Sequence, residues 1–531
     1  PTAILNSKII GAYAIPTSFE TKDLEITSTG SLNIQMGKDV TVNGTITLPS
    51  DGKIILESDA NLVQKNAGAD NNSNQKITVK RTALLPTKGY TFWSSPVVGQ
   101  NLYSFSNGYN QALGGGTGTP WNRFFVYKES TDTFVTAVSG EITLGSSSDF
   151  VPGRGYAIKG KNSYTPTGGT GTEVPALADT FVFDGKMNNG PIPSQLLKNS
   201  CDAAVLEASC TKGYNLIGNP YPSNLDFDAL YTANNSKIYG TAYFWTNNDI
   251  TATASQLGSN YSGNNYAVYN LTGGTPAVDF VDPAPGQPST PATPIPNGTV
   301  KVGQGFIIKA KKAGTGSTLD FTNAMRLGYD VDAHFYNAKK PTKNRFWIKM
   351  TTPSHIVNTA LVGYIPGATN GFEIDYDGEL FVVGSDAFYS TLDGKKLIIQ
   401  GKAEFVKDDV VPLGVKYAAS GNYKRSLGGT EGIFGSAQKI YLKDKITNTY
   451  TDLTSQDYTF SGIKGADENR FEIVYKNVEV LGTDAGSKSD FTVYRDGDSF
   501  VLRSSKSLGK IEIYDTSDRM LITSSTTEKS I

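Results

Sequence analysis

Apolar and polar residues alternate along this chain with a period of two far more often than with the helical period. Between residues 20 and 66, "LEITSTGSLNIQMGKDVTVNGTITLPSDGKIILESDANLVQ" places an apolar residue at every second position. Gly, Asn and Asp break the alternation into short runs, the pattern of strands with one buried face. "TGSLNIQ" and "DGKIILE" repeat about 22 residues apart, which predicts a short stack of β-rungs or a meander over residues 1–75. So few copies must lean on the next domain for stability.

Two longer segments then resemble each other. "GYTFWSSPVVGQNLYSF", from Gly89, aligns with "GYNLIGNPYPSNLDFDAL", from Gly213, and both carry a proline seven positions on (Pro96, Pro220). "PGRGYAIKG" (Gly153, Gly155, Lys159) aligns with "VGQGFIIKA" (Gly303, Gly305, Lys309), and Phe183 and Met187 align more faintly with Phe321 and Met325. Gly89 to Gly153 spans 64 residues and Gly213 to Gly303 spans 90; the Pro/Thr-rich stretch 272–297 has the missing length and reads as a loop insertion. Three landmarks in the same order predict two homologous β-modules, 76–190 and 191–333.

In each module the Gly-Tyr pair starts a strand, and the small-polar-Pro triplet ends it, because proline cannot donate to a ladder. The polar residues differ between copies (Ser94-Ser95 against Gly218-Asn219), so the motif keeps a shape rather than a chemistry. The best helical stretch is "PIPSQLLKNSCDAAVLEAS", residues 191–209. From 334 to 477 seven or eight longer alternating strands predict a β-sandwich, most simply a jelly roll. The last segment, 478–531, carries a hairpin signal at Asp496-Gly497. The fold class is all-β, several sandwich or jelly-roll modules in tandem, with an Ig-like C-terminal domain.

Composition supports this reading. At 531 residues three to five domains are expected, and 56 Gly and 24 Pro supply turns for many short strands. Net charge is −2 with no Lys/Arg block, so an electrostatic case for nucleic acid is missing. No apolar run reaches the ~20 residues of a membrane-spanning helix. Pro1 opens the chain without Met or a signal-peptide pattern, as in a mature secreted chain whose leader has gone, or at a chain boundary. The two cysteines, Cys201 and Cys210, are nine positions apart and suit a disulfide in an oxidising compartment, whereas two lone ligands do not make a zinc site. An extracellular location follows.

Catalytic patterns are scarce. His334 and His355 lie in no HExxH frame, and no GxSxG or P-loop is present. Carboxylate pairs occur at Asp226/Asp228, Asp330/Asp332, Asp375/Asp377 and Asp496/Asp498. Asp375 and Asp377 are the candidates for a Ca²⁺ site, which would need further loop oxygens; no other cofactor is expected, and turn chemistry is the simpler reading of every pair. Trp93, Trp121, Trp245 and Trp347 mostly sit in alternating strands and read as core. The Tyr/Asn-rich loop 258–270 is the better candidate for ligand contact. An enzyme is not expected.

These motifs carry a resemblance. "GYNLIGNPYPSNLDF", "YTFWSSPV", "RFWIKM", "ALVGYIPGATNGFEIDYDGE" and "NRFEIVYKN" together resemble large secreted proteins of the Bacteroidota that are exported through the type IX secretion system. The segment "FTVYRDGDSFVLRSSKSLGKIEIYDTSDRML" resembles their C-terminal sorting domain. The motif of that domain matches here at Ile511, Ile513, Tyr514, Asp515 and Arg519; the usual Y-x-N-P opening is replaced by "YRDGDSF", the motif glycine is absent, and the chain stops at Ile531 before the family's last strands. The resemblance implies recognition by the outer-membrane translocon and its shuttle β-barrel, and delivery to the cell surface. It further implies a non-enzymatic adhesin or gliding-motility component, with other gliding-machinery proteins or surface glycans as partners. The alternative is a carbohydrate-binding or polysaccharide-processing surface protein.

Overall fold

The structure is a computed structural model that describes residues 4–68, 74–85, 90–108, 116–136, 148–161, 177–246, 265–280, 294–329, 343–476, 491–496, 499–504, 506–515, 519–528 and 530–531. The chain divides into two compact units, Pro1–Lys476 and Asn477–Ile531.

The large unit opens with three stacked rungs. Ser7–Ile9, Leu24–Ile26 and Ile46–Thr47 pair parallel, as do Phe19–Thr21, Asp39–Val42 and Asn61–Gln64. Ala12–Ala14, Ser31–Ile34 and Ile54–Leu56 form the third face. Leu32 pairs with Ile54 and Val40 with Leu62, so the 22-residue repeat is one turn of a parallel stack; a meander would pair its strands antiparallel. Leu24, Leu32, Val40, Ile54 and Leu62 fill the interior. The stack does not end in solvent. Lys76–Leu85 pairs parallel with Ile54–Leu56 and antiparallel with Leu177–Met187, and one buried cluster runs from Ile15 through Trp93 and Phe183 to Val302. The rungs thereby share a core with the two modules.

Those modules are built alike. Tyr90–Trp93 pairs antiparallel with Tyr156–Lys159, which pairs with Phe124–Lys128, which pairs with Thr133–Thr136. Tyr214–Gly218, Gly305–Ala310, Ile238–Trp245 and Tyr266–Asn270 repeat the order. The register repeats too: Tyr90 faces Lys159 and Tyr214 faces Lys309.

The copies also contact each other reciprocally, as across a pseudo-twofold axis. Trp93 bridges Gln304 while Ile217 bridges Arg154. The Ser94 amide donates to the Gly303 carbonyl at 3.0 Å, and the Gly218 amide to the Gly153 carbonyl at 3.3 Å. This exchange explains two glycines. Gly153 and Gly303 have φ of +72° and +74°. A Cβ on Gly153 would lie 3.2 Å from the Phe321 ring of the other module, and one on Gly303 would lie 3.1 Å from Phe183. Backbone sterics and the partner ring both exclude a side chain there.

The expected helix at 191–209 does not form. That stretch is irregular apart from a short strand at Ile192–Pro193 and a single 3-10 turn at Glu207–Ser209. Pro191 and Pro193 remove amide donors, and the Cys201–Cys210 disulfide, with Cα atoms 5.9 Å apart, closes the chain on itself. The one α-helix among the described residues is Phe227–Asn234, capped by Asp226, whose carboxylate accepts from the Asp228 and Ala229 amides. Asp226 is an N-cap rather than half of a ligand pair.

From Asn344 to Val474 the strands belong to one curled sheet whose path runs from Thr449–Asp452 at one end to Tyr458–Gly462 at the other. Within it, Ile356–Tyr364 pairs parallel with Lys395–Lys402. Its core (Phe346, Leu361, Phe388, Leu413, Ile473) is continuous with Phe92, Leu216 and Ile307 of the modules. Among the described residues the C-terminal unit shows two hairpins, Phe491–Asp496 with Ser499–Ser504, and Lys510–Tyr514 with Met520–Ser525. All-β architecture is thus what the alternation predicts.

Candidate functional site

The motif around Asn219 is buried scaffolding. Asn219, fully buried, donates to the Ser223 carbonyl at 2.8 Å and accepts the Tyr221 amide at 3.0 Å. Its counterpart Ser95 accepts the Val97 amide at 3.2 Å. Different side chains thus close the same turn. Beyond it, the Leu62 amide donates to the Pro222 carbonyl and the Asn224 amide to Asn61 Oδ1 (2.8 and 2.7 Å), so the motif extends the rung stack. Arg326, buried over the Tyr221 ring at 4.8 Å, donates to the Leu62 carbonyl at 2.6 Å and locks the joint.

Asp375 and Asp377 do not converge on a cation. Asp375 lies in a turn and accepts the Tyr231 hydroxyl. Asp377, 3% exposed, accepts the Glu373 amide at 2.7 Å and the Gly401 amide at 2.9 Å. Burial, partly offset by these two amides, pushes its carboxyl up to about 7, the behaviour of an acid kept from solvent. Among the described residues no group of three or more His, Cys, Asp or Glu is placed to hold a metal ion.

The disulfide is anchored by buried charge. The Cys210 carbonyl accepts Lys309 Nζ at 2.6 Å, and the same ammonium lies 3.3 Å from Glu379 and over the Tyr239 ring. Burial holds its pKa below the ordinary lysine value. Glu129, also buried, accepts the Ser200 and Gly213 amides, both at 2.8 Å. Neither acid has a sequence signature, and both were missed for that reason.

Trp93 and Trp347 are core, as their strands predict. Trp245 is half-buried and packs at 5.2 Å from Tyr266; Tyr266 meets Phe381 at 4.7 Å, and Tyr127 meets Phe134 at 5.2 Å. The described part of the Tyr/Asn-rich loop, Asn265–Asn270, is buried, and Tyr266–Asn270 is a strand, not a contact loop. His355 sits in an exposed turn with φ +61°. His334, the Asp330/Asp332 pair, residues 258–264 and 281–293, Gly497, Asp498, the Asp496 side chain and residues 516–518 lie outside the described residues.

The C-terminal unit presents its motif openly. Ile511, Ile513 and Tyr514 lie on Lys510–Tyr514, paired with Met520–Ser525. Ile513 is 36% exposed, Tyr514 49% and Ile522 56%. Asp515 and Arg519 pair directly: the Arg519 amide and Nε each donate to Asp515 at 3.0 Å. Ile511, Ile513 and Ile522 lie on one face of this hairpin and Tyr514 on the other, with the Asp515–Arg519 ion pair at its end.

Among the described residues no helix is long and apolar enough to cross a membrane. No curated protein and no solved structure matches the chain. One family, described as a domain of unknown function (DUF8693), matches residues 3–475, a span that ends beside the Lys476 limit of the large unit. The chain belongs to the DUF8693 family.

Proposed function

We propose that this chain is a non-enzymatic cell-surface protein exported through the type IX secretion system, an adhesin or gliding-motility component. Residues 478–531 serve as its export address, read by the translocon and its shuttle β-barrel. The observation that carries the reading is the separate two-hairpin unit whose motif strand, Lys510–Tyr514, leaves Ile513 and Tyr514 accessible. Supporting it, the carboxylates of the large unit that are most buried are spent on amides, hydroxyls and cations of the same chain. Crosslinking in the native host tests the address. The full chain should co-purify with outer-membrane β-barrel proteins, and Ile513→Asp should abolish that capture while leaving the fold of the large unit unchanged. Equal capture of the variant would contradict the reading.

A second reading, carbohydrate binding, draws on the half-buried rings of Tyr127, Phe134, Trp245 and Phe381, since flat aromatic faces stack on sugar rings. A glycan array separates the two: binding lost on Trp245→Ala would favour a sugar-binding protein.

A further inference from the structure

The curled sheet carries a cleft of about 420 Å³, the size of a small-ligand site. It lies between the hairpin turn at Asp393-Gly394, the end of Lys395–Lys402 and the start of Val410–Tyr417. Gln400 and Lys402 stand two positions apart on one strand, so both point to the same face, and both line the cleft. Gln400 is 1% exposed, yet its side-chain carbonyl oxygen is buried without a hydrogen-bond donor. Buried polar groups are ordinarily paired, and an apolar side chain of the same shape would serve the fold as well or better. Packing alone gives no reason for a glutamine here.

Lys402, also buried, places its ammonium 3.3 Å from Asp409. The other oxygen of Asp409 accepts the Tyr364 hydroxyl at 2.7 Å, which itself lies 2.7 Å from the Tyr475 hydroxyl. Asp377 is a second carboxyl within electrostatic reach of Lys402, and Asp393 stands exposed at the rim of the cleft. The charge of Lys402 is thus balanced by the protein's own acids, and the cleft holds no surplus positive charge for an anion. An ammonium carries three donors, more than one carboxylate oxygen at 3.3 Å uses. Leu392, Val410 and Pro412 add an apolar wall.

We propose that this cleft binds a neutral pyranose sugar, held by the Gln400 carbonyl and the Lys402 ammonium. A hydroxyl both donates and accepts, so neighbouring hydroxyls of one ring give a proton to Gln400 Oε1 and accept one from Lys402. The C–H face of the ring covers the apolar wall. The last torsion of a glutamine is soft, and the amide turns to meet a donor that enters the cleft. The proposal rests neither on the export reading nor on the aromatic faces around Trp245.

Methyl glycosides of glucose, galactose and mannose are the probes, offered singly to the full chain in saturation-transfer NMR. At least one should receive transfer that saturates with its concentration. Gln400→Leu should weaken that binding about tenfold, the loss of one hydrogen bond. The same variant should not lower the melting temperature, because it removes an acceptor that has no partner in the free chain. Val410→Arg adds bulk at a wall position that is 39% exposed and should block the cleft with the core untouched. Trp245→Ala should leave the binding as it is. Transfer to none of the three sugars, transfer unchanged in either Gln400→Leu or Val410→Arg, transfer lost in Trp245→Ala, or a lower melting temperature for Gln400→Leu would overturn the proposal.

Discussion

The two units treat apolar side chains in opposite ways. In the large unit Trp93, Phe183, Leu216, Phe306 and Phe388 are at most 2% exposed. In the C-terminal unit Val493, Phe500, Tyr514, Met520, Leu521 and Ile522 are between 49% and 63% exposed, and Leu508 is the one buried large apolar residue among those described. The difference is one of layers. Rungs, modules and curled sheet press face against face and share cores, whereas two hairpins of five or six residues a strand have too little facing surface to bury their own. On the reading proposed above, the large unit is scaffold and the small one is the part that the export machinery reads.

Several substitutions would break or sharpen that contrast. The largest effect is expected at the exchanged glycines. Gly303→Ala combines a left-handed backbone with a contact on Phe183, and should lower stability by about 2–4 kcal/mol in denaturant titration. Gly509→Ala in the C-terminal unit, where nothing lies within 4 Å of the added carbon, should leave the unfolding midpoint within error. Equal effects would mean that the exchange between modules is not what holds the scaffold.

Reducing the Cys201–Cys210 bridge comes next. A loop this short contributes roughly 2–3 kcal/mol by restricting the unfolded chain, so reductant should lower the melting temperature of the large unit. The Cys201→Ser/Cys210→Ser double variant should reproduce the loss and no longer respond to reductant.

Asp377 gives a smaller, pH-dependent effect. Its folded carboxyl is pushed up to about 7, above the ordinary 3.8. The native state therefore holds a proton that the unfolded chain releases, and stability falls as pH rises from about 4 to about 7. Melting of Asp377→Asn across that window should be flatter than the parent, although the amide can accept only one of the two backbone donors through its single oxygen and should lower overall stability by about 1 kcal/mol. A parent with no such decline would place Asp377 in contact with solvent.

Asp515→Ala is the mildest. An exposed ion pair contributes at most about 1 kcal/mol, so folding should hardly change; any loss of surface delivery would then be a loss of recognition.

How much of this was legible in the sequence follows from range. Period-two alternation is local, and it gave the β class and the 22-residue rungs. The Gly-Tyr and Gly-x-Gly landmarks gave the duplication, because steric constraints on glycine survive change in neighbouring side chains. What the landmarks are for was not legible: Gly153 answers to Phe321 and Gly303 to Phe183, residues 168 and 120 positions away in the chain. The helix failed for a similar reason. Residues 191–209 have helical composition but are shaped by a disulfide and by Lys309 and Glu129, whereas Phe227–Asn234 is fixed by the cap at Asp226. Asp375 and Asp377 look like a ligand pair in one dimension and are separated by the turn that uses them. Gln400 gives no signal at all, since a glutamine in an alternating strand is read as facing solvent.

The most direct test is where the chain goes without its last unit. Residues 1–477 expressed in the native host should fold and accumulate in the periplasm, protected from protease added to intact cells, while the full chain is cleaved at the surface. Surface cleavage of the shortened chain at the level of the full one would show that the address lies elsewhere.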